Sequence, residues 1–138
     1  MNIALIAKNR KKELMLQFCL AYRTVLANHH ICATGRTARV VSEATGLKIL
    51  KYLTGDQGGV EEIGTAVSVG EVDLLIFFRD PNDVHHDNTA ETELLRLCDF
   101  HNIPYATNIA SAEALLLALE RGDLDWRANP PSLNSMLP

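Results

Sequence analysis

The chain has 138 residues, of which 47% are apolar, and 13 basic against 17 acidic residues give a formal net charge of -4. This length and composition suit one domain with a substantial core, and the acidic balance works against a broad nucleic-acid-binding face. Three separated cysteines form no Cys-x-x-Cys pair, so neither a disulfide framework nor a zinc knuckle is expected. The N-terminal residues show no basic leader, cleavage site or long apolar run, which favours a cytoplasmic protein without membrane contact.

Short apolar runs alternate with segments of helical period along the chain. In chain order they predict strand 2–7, helix 12–26, strand 31–33, helix 37–45, strand 47–53, helix 59–69, strand 73–78, helix 89–101, strand 105–107 and helix 111–121. Gly46 is placed to end the second helix as a C-terminal cap. Asn88 is placed to cap the fourth helix, with Glu91 three residues on in capping-box position.

This alternation predicts an α/β fold in which one doubly wound parallel sheet of about five strands carries helices on both faces. The predicted domain spans residues 1–127. Residues 128–138 contain three prolines and no period, so they are expected to form a C-terminal tail that is loosely held or docks on a neighbouring subunit.

A short polar loop follows each of the first four predicted strands. These loops span residues 7–12, 33–37, 53–59 and 79–87, and together they supply lysines, an arginine, hydroxyls, glycines and carboxylates. Because loops after parallel strands collect at one edge of a sheet, they should meet in one crevice. Hydroxyls, backbone amides and cations in one crevice predict a phosphate site.

Several of these segments resemble the methylglyoxal synthase family, in order and nearly without gaps from residue 2 to about residue 127. The matching segments are Asn2-Ile3-Ala4-Leu5-Ile6-Ala7, Ala33-Thr34-Gly35, Glu43-Ala44-Thr45-Gly46-Leu47, Gly58-Gly59, Ile76-Phe77-Phe78-Arg79-Asp80-Pro81, Leu95-Arg96-Leu97-Cys98-Asp99 and Ile103-Pro104-Tyr105-Ala106-Thr107-Asn108. The resemblance implies removal of a proton from dihydroxyacetone phosphate and elimination of phosphate from the enediolate. It also implies that no metal, nucleotide or redox cofactor takes part, and that the protein is a homohexamer.

The resemblance assigns a phosphate cradle to this chain. Its members are Lys12, Thr34, Gly35, Thr37, Thr54 and Gly55. Arg36 stands where the family usually has a threonine, so it could hold the phosphate or crowd the substrate. An alternative without a ligand is that Lys12 and Thr37 only solvate and cap helix ends.

The remaining polar residues match the family less fully. Asp80 matches an active-site aspartate, although an aspartate before Pro81 can simply start a turn. His86 aligns with the catalytic histidine only across a one-residue gap, and without the gap Asp87 falls there. Lys8 replaces a substrate-contacting histidine; it can bind phosphate but cannot shuttle protons at neutral pH.

The position of the family's proton-abstracting aspartate holds Val60, which cannot accept a proton. Glu61 and Asp56 are the candidate replacements, although one residue along a helix turns a side chain by about 100°. Two hypotheses therefore stay open. One is a synthase whose base has moved. The other is a non-catalytic phosphate-ligand-binding module, similar to the allosteric domain of the same fold in the carbamoyl-phosphate synthetase large subunit.

Overall fold

A computed structural model describes residues 1–84 and 88–127, which contain one sheet and two layers of helices. The strands of this part are β1 (Asn2–Ala7), β2 (His30–Ala33), β3 (Ile49–Lys51), β4 (Leu74–Phe78) and β5 (Tyr105–Ala106). Its helices are α1 (Lys12–Ala21), α2 (Arg23–Leu26), α3 (Gly35–Thr45), α4 (Gly59–Ser68), α5 (Thr89–Phe100) and α6 (Ile109–Arg121). The predicted tail, residues 128–138, lies outside the described residues. None of the described helices is long and apolar enough to cross a membrane.

All five strands pair in parallel in the order β3-β2-β1-β4-β5. In the register of the central strand, Ile3 lies opposite both Ile31 of β2 and Leu74 of β4. The predicted doubly wound parallel sheet is therefore confirmed. Its strand order reverses between β1 and β4, which is where ligands bind in sheets of this kind.

The two faces of the sheet bury separate cores. Ile3 and Leu5 point into a core with α1, α3 and α6, whereas Ala4 and Ile6 point into a core with α4 and α5. This alternation follows from the two-residue period of a strand. Because both faces are covered, β1 is apolar from Ile3 to Ala7, as the sequence pattern of a buried parallel strand predicts.

Most predicted elements differ from those observed by one or two residues at an end, and two differ more. Predicted helix 12–26 is divided at Tyr22, whose backbone (φ -107°, ψ 21°) leaves the helical range between α1 and α2. Predicted strand 47–53 is reduced to β3. The N–H of Leu47 donates to the Thr45 hydroxyl at 3.2 Å, so this residue completes the end of α3 and does not pair with β2.

The predicted helix caps had different outcomes. Gly46 ends α3 in the left-handed conformation at φ 74°, as predicted. The capping box at α5 was wrong, because Asn88 makes no side-chain cap bond and Glu91 forms ion pairs elsewhere. Asn108 is a cap that the prediction missed: its Oδ1 accepts the N–H of Ser111 at 3.0 Å and fixes the start of α6.

Helix α4 begins in close contact with the loop that follows β3. Gly58 has φ 98°, which glycine adopts readily and other residues rarely do. A Cβ on Gly59 would overlap the carbonyl of Leu53 and lie 3.0 Å from the carbonyl oxygen of Thr54. The Gly58-Gly59 pair therefore lets α4 start directly against the loop that carries Gly55.

We expect Gly59→Ala to lower the free energy of unfolding by about 3 kcal/mol or more, the upper end of the cost of overpacking, because backbone must move. Gly55→Ala is the matched control, since its Cβ would meet nothing closer than Val60 Cγ2 at 4.0 Å. That control should change stability by less than about 1 kcal/mol. Urea unfolding followed by circular dichroism measures both, and equal losses would contradict the packing argument.

Candidate active site

A cavity of about 490 Å³ opens at the carboxyl edge of the sheet, between the ends of β1 and β4. Seven of the residues predicted to form the site border it: Lys8, Lys12, Thr34, Arg36, Gly55, Asp56 and Asp80. The cavity thus draws on the loops after β1, β2, β3 and β4, which converge because the strands are parallel. The predicted crevice and the observed cavity lie at the same edge.

Val60 and Glu61 are neighbours on α4 but lie in different surroundings. Val60 borders the cavity and packs in the core beneath α4 and α5, with 7% of its surface exposed. Glu61 is exposed and does not border the cavity. The structure therefore does not bring Glu61 to the place where residue 60 faces the cavity. His86, another residue predicted to be catalytic, lies outside the described residues.

Three predicted cradle residues lie behind the cavity wall and not on it. Gly35 is buried, and a Cβ there would lie 3.1 Å from the carbonyl oxygen of Tyr52, so close packing accounts for this glycine. Thr37 is 1% exposed, and its hydroxyl has no hydrogen-bond partner among the described residues. The third, Thr54, is partly buried and donates its hydroxyl to Asp56. A buried hydroxyl without a partner is costly, and in this structure the Thr37 hydroxyl is not exposed to the cavity.

The N-terminus of α3 faces the same region. Thr34 is its N-cap residue but makes no side-chain cap bond. The first turn of a helix carries a partial positive charge and attracts anions, and the exposed Arg36 adds a full charge there. Across the cavity, the protein's own packing does not require glycine at residue 55. That position therefore leaves room for a ligand to approach the backbone.

Lys12 is a partly desolvated cation beside two others. Its Nζ donates to the carbonyl oxygen of Ala7 at 2.6 Å. Burial, and after it the positive charges of Arg36 and Lys8, lower the pKa of Lys12. An anion among these three cations would relieve the repulsion, so the electrostatics favour an anionic ligand.

Asp56 is held by its own loop. The hydroxyl of Thr54 donates to Asp56 Oδ1 at 2.7 Å, and this bond, followed by a backbone hydrogen bond, lowers the pKa of Asp56, with a smaller contribution from Arg36. The loop is fixed to α4 because the N–H of Leu53 donates to Glu62 Oε1 at 2.8 Å. A carboxyl group with a lowered pKa is a weaker proton acceptor, so Asp56 suits binding better than proton abstraction.

Asp80 forms the predicted turn and also borders the cavity. Its Oδ1 accepts the N–H of Asn82 at 3.0 Å, and its carbonyl oxygen accepts the N–H of Asp83 at 3.1 Å. These bonds form the turn that an aspartate before Pro81 favours. The residue also borders the cavity, so the turn fixes a carboxylate at the site.

Glu91 is a cavity residue that the sequence reasoning assigned to a capping box. Its Oε1 lies 2.9 Å from Nζ of Lys8 and its Oε2 lies 3.7 Å from Nε of Arg79. One signal could have found it: Glu91 stands three residues before Leu94 and seven before Cys98, which places the three on one face of a helix. An acidic residue at the start of an apolar stripe, at the functional edge of the sheet, indicates a site residue.

No group of three or more histidine, cysteine, aspartate or glutamate side chains in residues 1–84 and 88–127 could hold a metal ion. Cys19, Cys32 and Cys98 are free and buried. Burial raises the pKa of Cys19 to about 12 and those of Cys32 and Cys98 to about 11, so none of the three is a reactive thiolate.

We expect Thr54→Val to raise the pKa of Asp56, because it removes the largest of the interactions that stabilise the ionised carboxylate. An NMR titration of the Asp56 carboxyl carbon measures the shift. Thr65→Val is the control, since the Thr65 hydroxyl donates to the Glu61 carbonyl outside this loop. An unchanged Asp56 titration in Thr54→Val would assign the low pKa to the backbone and Arg36 instead.

Comparison with known proteins agrees with this architecture. A family model described as MGS-like domain matches residues 15–107. The methylglyoxal synthase of Caldicellulosiruptor saccharolyticus is 52% identical over 127 residues, which cover 92% of this chain and 90% of that protein. That of Oceanobacillus iheyensis is 50% identical, with 92% and 91% covered. The crystal structure of methylglyoxal synthase from Elizabethkingia anophelis matches with a TM-score of 0.77 at 30% identity, over 83% of this chain and 76% of that one. The chain therefore belongs to the methylglyoxal synthase family.

Proposed function

We propose that this protein is a lyase of the methylglyoxal synthase type, which converts dihydroxyacetone phosphate to methylglyoxal and phosphate. The observation that carries the proposal is the convergence of Lys12, Arg36 and the N-terminus of α3 on a cavity that carboxylates also border. Phosphate needs positive charge and hydrogen-bond donors, and carbon acid chemistry needs a nearby carboxylate. Membership of the family supports the same reaction.

The phosphate group would sit between α3 and the loop that carries Gly55. Lys12 and Arg36 supply charge, and the first turn of α3 supplies amide donors. The open space beside Gly55 lets phosphate oxygens approach the backbone closely. The carbonyl end of the substrate would then extend towards the ends of β1 and β4, where Lys8 and Asp80 border the cavity.

The reaction proceeds through an enediolate. A carboxylate takes a proton from the hydroxymethyl carbon, the C–H pair forms a C=C bond, and the carbonyl pair moves onto oxygen. The hydroxyl group on that carbon then loses its proton to the departing phosphate and becomes the aldehyde, the double bond shifts, and the C–O bond to phosphate breaks with its electron pair on phosphate. The enolate that remains takes up a proton at its terminal carbon to give methylglyoxal. Cations near the enediolate oxygen lower the barrier to its formation.

One observation favours a second function, a phosphate-ligand-binding regulatory module that does not turn substrate over. Val60 presents an apolar surface to the cavity where the family resemblance implies a carboxylate. Loss of a general base typically costs about 10²–10⁴-fold in rate. The two functions predict the same phosphate binding and differ in whether methylglyoxal forms.

We also propose that the protein is a cytoplasmic homo-oligomer, hexameric by resemblance to the family. Apolar side chains exposed near the edge strand β3 support an interface. Leu50 is 64% exposed and Leu53 is 50% exposed. Side chains of this kind are commonly covered when subunits associate.

Lys12→Ala should weaken the affinity for inorganic phosphate by roughly ten- to a hundredfold, because a charge-assisted hydrogen bond is worth about 1.5–3 kcal/mol. Isothermal titration calorimetry measures the change. Lys11→Ala is a matched control, since it removes the same charge one residue away and does not border the cavity. Equal phosphate affinity in Lys12→Ala and the parent would contradict the cradle.

Val60→Asp should raise the rate of methylglyoxal formation from dihydroxyacetone phosphate by at least about tenfold, because it adds a proton acceptor inside the cavity. Val60→Asn introduces a side chain of the same shape as aspartate that accepts no proton, so it should not increase the rate. A colorimetric assay for methylglyoxal on purified protein measures both rates. The parent protein is assayed alongside, because its own turnover separates the synthase from the binding module.

Companion variants test the carboxylates that the sequence offered as replacements. Glu61→Gln should leave the parent rate unchanged, because Glu61 does not border the cavity. Asp56→Asn should affect substrate binding more than turnover. If the parent is inactive and Val60→Asp stays inactive while still binding phosphate, the regulatory-module reading replaces the synthase.

A further inference from the structure

A carboxylate without a role in the steps above borders the cavity from α5. Glu91 is 5% exposed, and its two oxygens lie 2.9 Å from Nζ of Lys8 and 3.7 Å from Nε of Arg79. Lys8 directly follows β1 and Arg79 directly follows β4, so both cations belong to the point where the strand order reverses. They hold the carboxylate in a defined orientation at the cavity wall.

Glu91 enters the cavity from the same side of the sheet as Val60. Val60 of α4 and Leu94 and Cys98 of α5 share one core, and Ala90 packs against that core and borders the cavity. Helices α4 and α5 are therefore neighbours over one layer. A carboxylate on the first turn of α5 can serve the region that residue 60 faces from the first turn of α4.

The other carboxylates considered for proton abstraction are less well placed. Glu61 does not border the cavity, and Asp56 is exposed. Asp80 accepts the N–H of Asn82 within its turn. Glu91 differs from them because it is buried and also borders the cavity.

We propose, on the basis of the function proposed above, that Glu91 is the carboxylate that takes the proton from dihydroxyacetone phosphate, in place of an acidic residue at position 60. A lysine ammonium has three donors, so Lys8 can hold Glu91 and the substrate carbonyl oxygen at the same time. A carbon next to that carbonyl then lies close to the Glu91 oxygens. In this chain the proton acceptor thus lies on α5 and not on α4.

The proton transfer balances without any further reactant. A Glu91 oxygen takes the proton of the hydroxymethyl carbon, the C–H pair becomes the C=C bond, and the carbonyl π pair moves onto the oxygen beside Lys8. The ammonium stabilises this charge as it develops. After phosphate leaves, the protonated Glu91 returns its proton to water before the next turnover.

The first test is Glu91→Gln, with Glu93→Gln as its matched control. Glu93 lies on the same helix, exposed and paired with Arg96 at 2.7 Å, away from the cavity. We expect Glu91→Gln to lower kcat by about 10²–10⁴-fold, the usual contribution of a general base, with KM changed far less. Glu93→Gln should match the parent. Circular dichroism and calorimetric phosphate binding check that both variants are folded.

Two further measurements separate proton abstraction from mere positioning of Lys8. The double variant Val60→Asp, Glu91→Gln should turn over at least about tenfold faster than Glu91→Gln alone, because Val60→Asp returns a proton acceptor to the same region. Glu91→Asp keeps the charge and the pairing but withdraws the carboxylate by one methylene, so kcat should fall by about 10²-fold. The deuterium isotope effect on kcat of Glu91→Asp, measured with substrate deuterated at the hydroxymethyl carbon, should be larger than that of the parent.

The outcomes distinguish this proposal from the one on which it rests. Full activity in Glu91→Gln beside an active parent would overturn the role of Glu91 and leave the synthase function standing. An inactive parent that still binds phosphate would overturn both. A loss in Glu91→Gln that Val60→Asp does not restore, together with an unchanged isotope effect in Glu91→Asp, would overturn proton abstraction and leave Glu91 as a positioning residue for Lys8.

Discussion

The parallel pairing of β1 with both β2 and β4 is the constraint on which the rest of this structure depends. Leu5 lies opposite Ala33 on one side and Ile76 on the other, so the three strands end close together. A shift of one residue in this register would turn every core side chain of β1 to the wrong face. Because the register is locked, the residues after the strands meet at one edge, and the cavity forms between them.

Charge in the cavity is arranged in pairs and small groups. Lys12, Lys8 and Arg36 lie near enough to one another to lower the pKa of Lys12, and Lys8 also pairs with Glu91. Fixed charges in a partly buried site act more strongly than they would in water and need little rearrangement when a ligand's charge develops. The site is therefore suited to a substrate with an anionic end and a second end at which negative charge appears.

Packing between α4 and α5 explains how an apolar residue is accommodated at the cavity. Val60 joins Ile63, Leu94 and Cys98 in the core beneath the two helices. Burying a valine side chain contributes about 1.5–3 kcal/mol relative to leaving it exposed. On the neighbouring helix, Glu91 continues the same buried face into the cavity as a carboxylate. Helix α4 thus presents an apolar side chain to the cavity, and α5 presents a carboxylate.

The sequence by itself determined the fold class and seven of the residues that border the cavity. The strand predicted over residues 73–78 is observed as β4, Leu74–Phe78. It was recognised because a strand covered on both faces of a parallel sheet is a continuous apolar run, as Leu74–Phe78 is. The loops after the strands were recognised as site-forming for the same topological reason, and seven of their predicted residues border one cavity. These properties depend on local pattern and on the rule that parallel strands end together.

Only the tertiary structure decided which side chains face the cavity. Glu61 and Glu91 are both acidic residues in the first turn of a helix, and local pattern treats both as complements of the helix dipole. The first is exposed, whereas the second is buried and paired with Lys8. That difference arises because Glu91 shares a face with Leu94, and the packing of α5 against α4 turns this face towards the sheet and the cavity. Long-range packing of this kind is not encoded in any one segment.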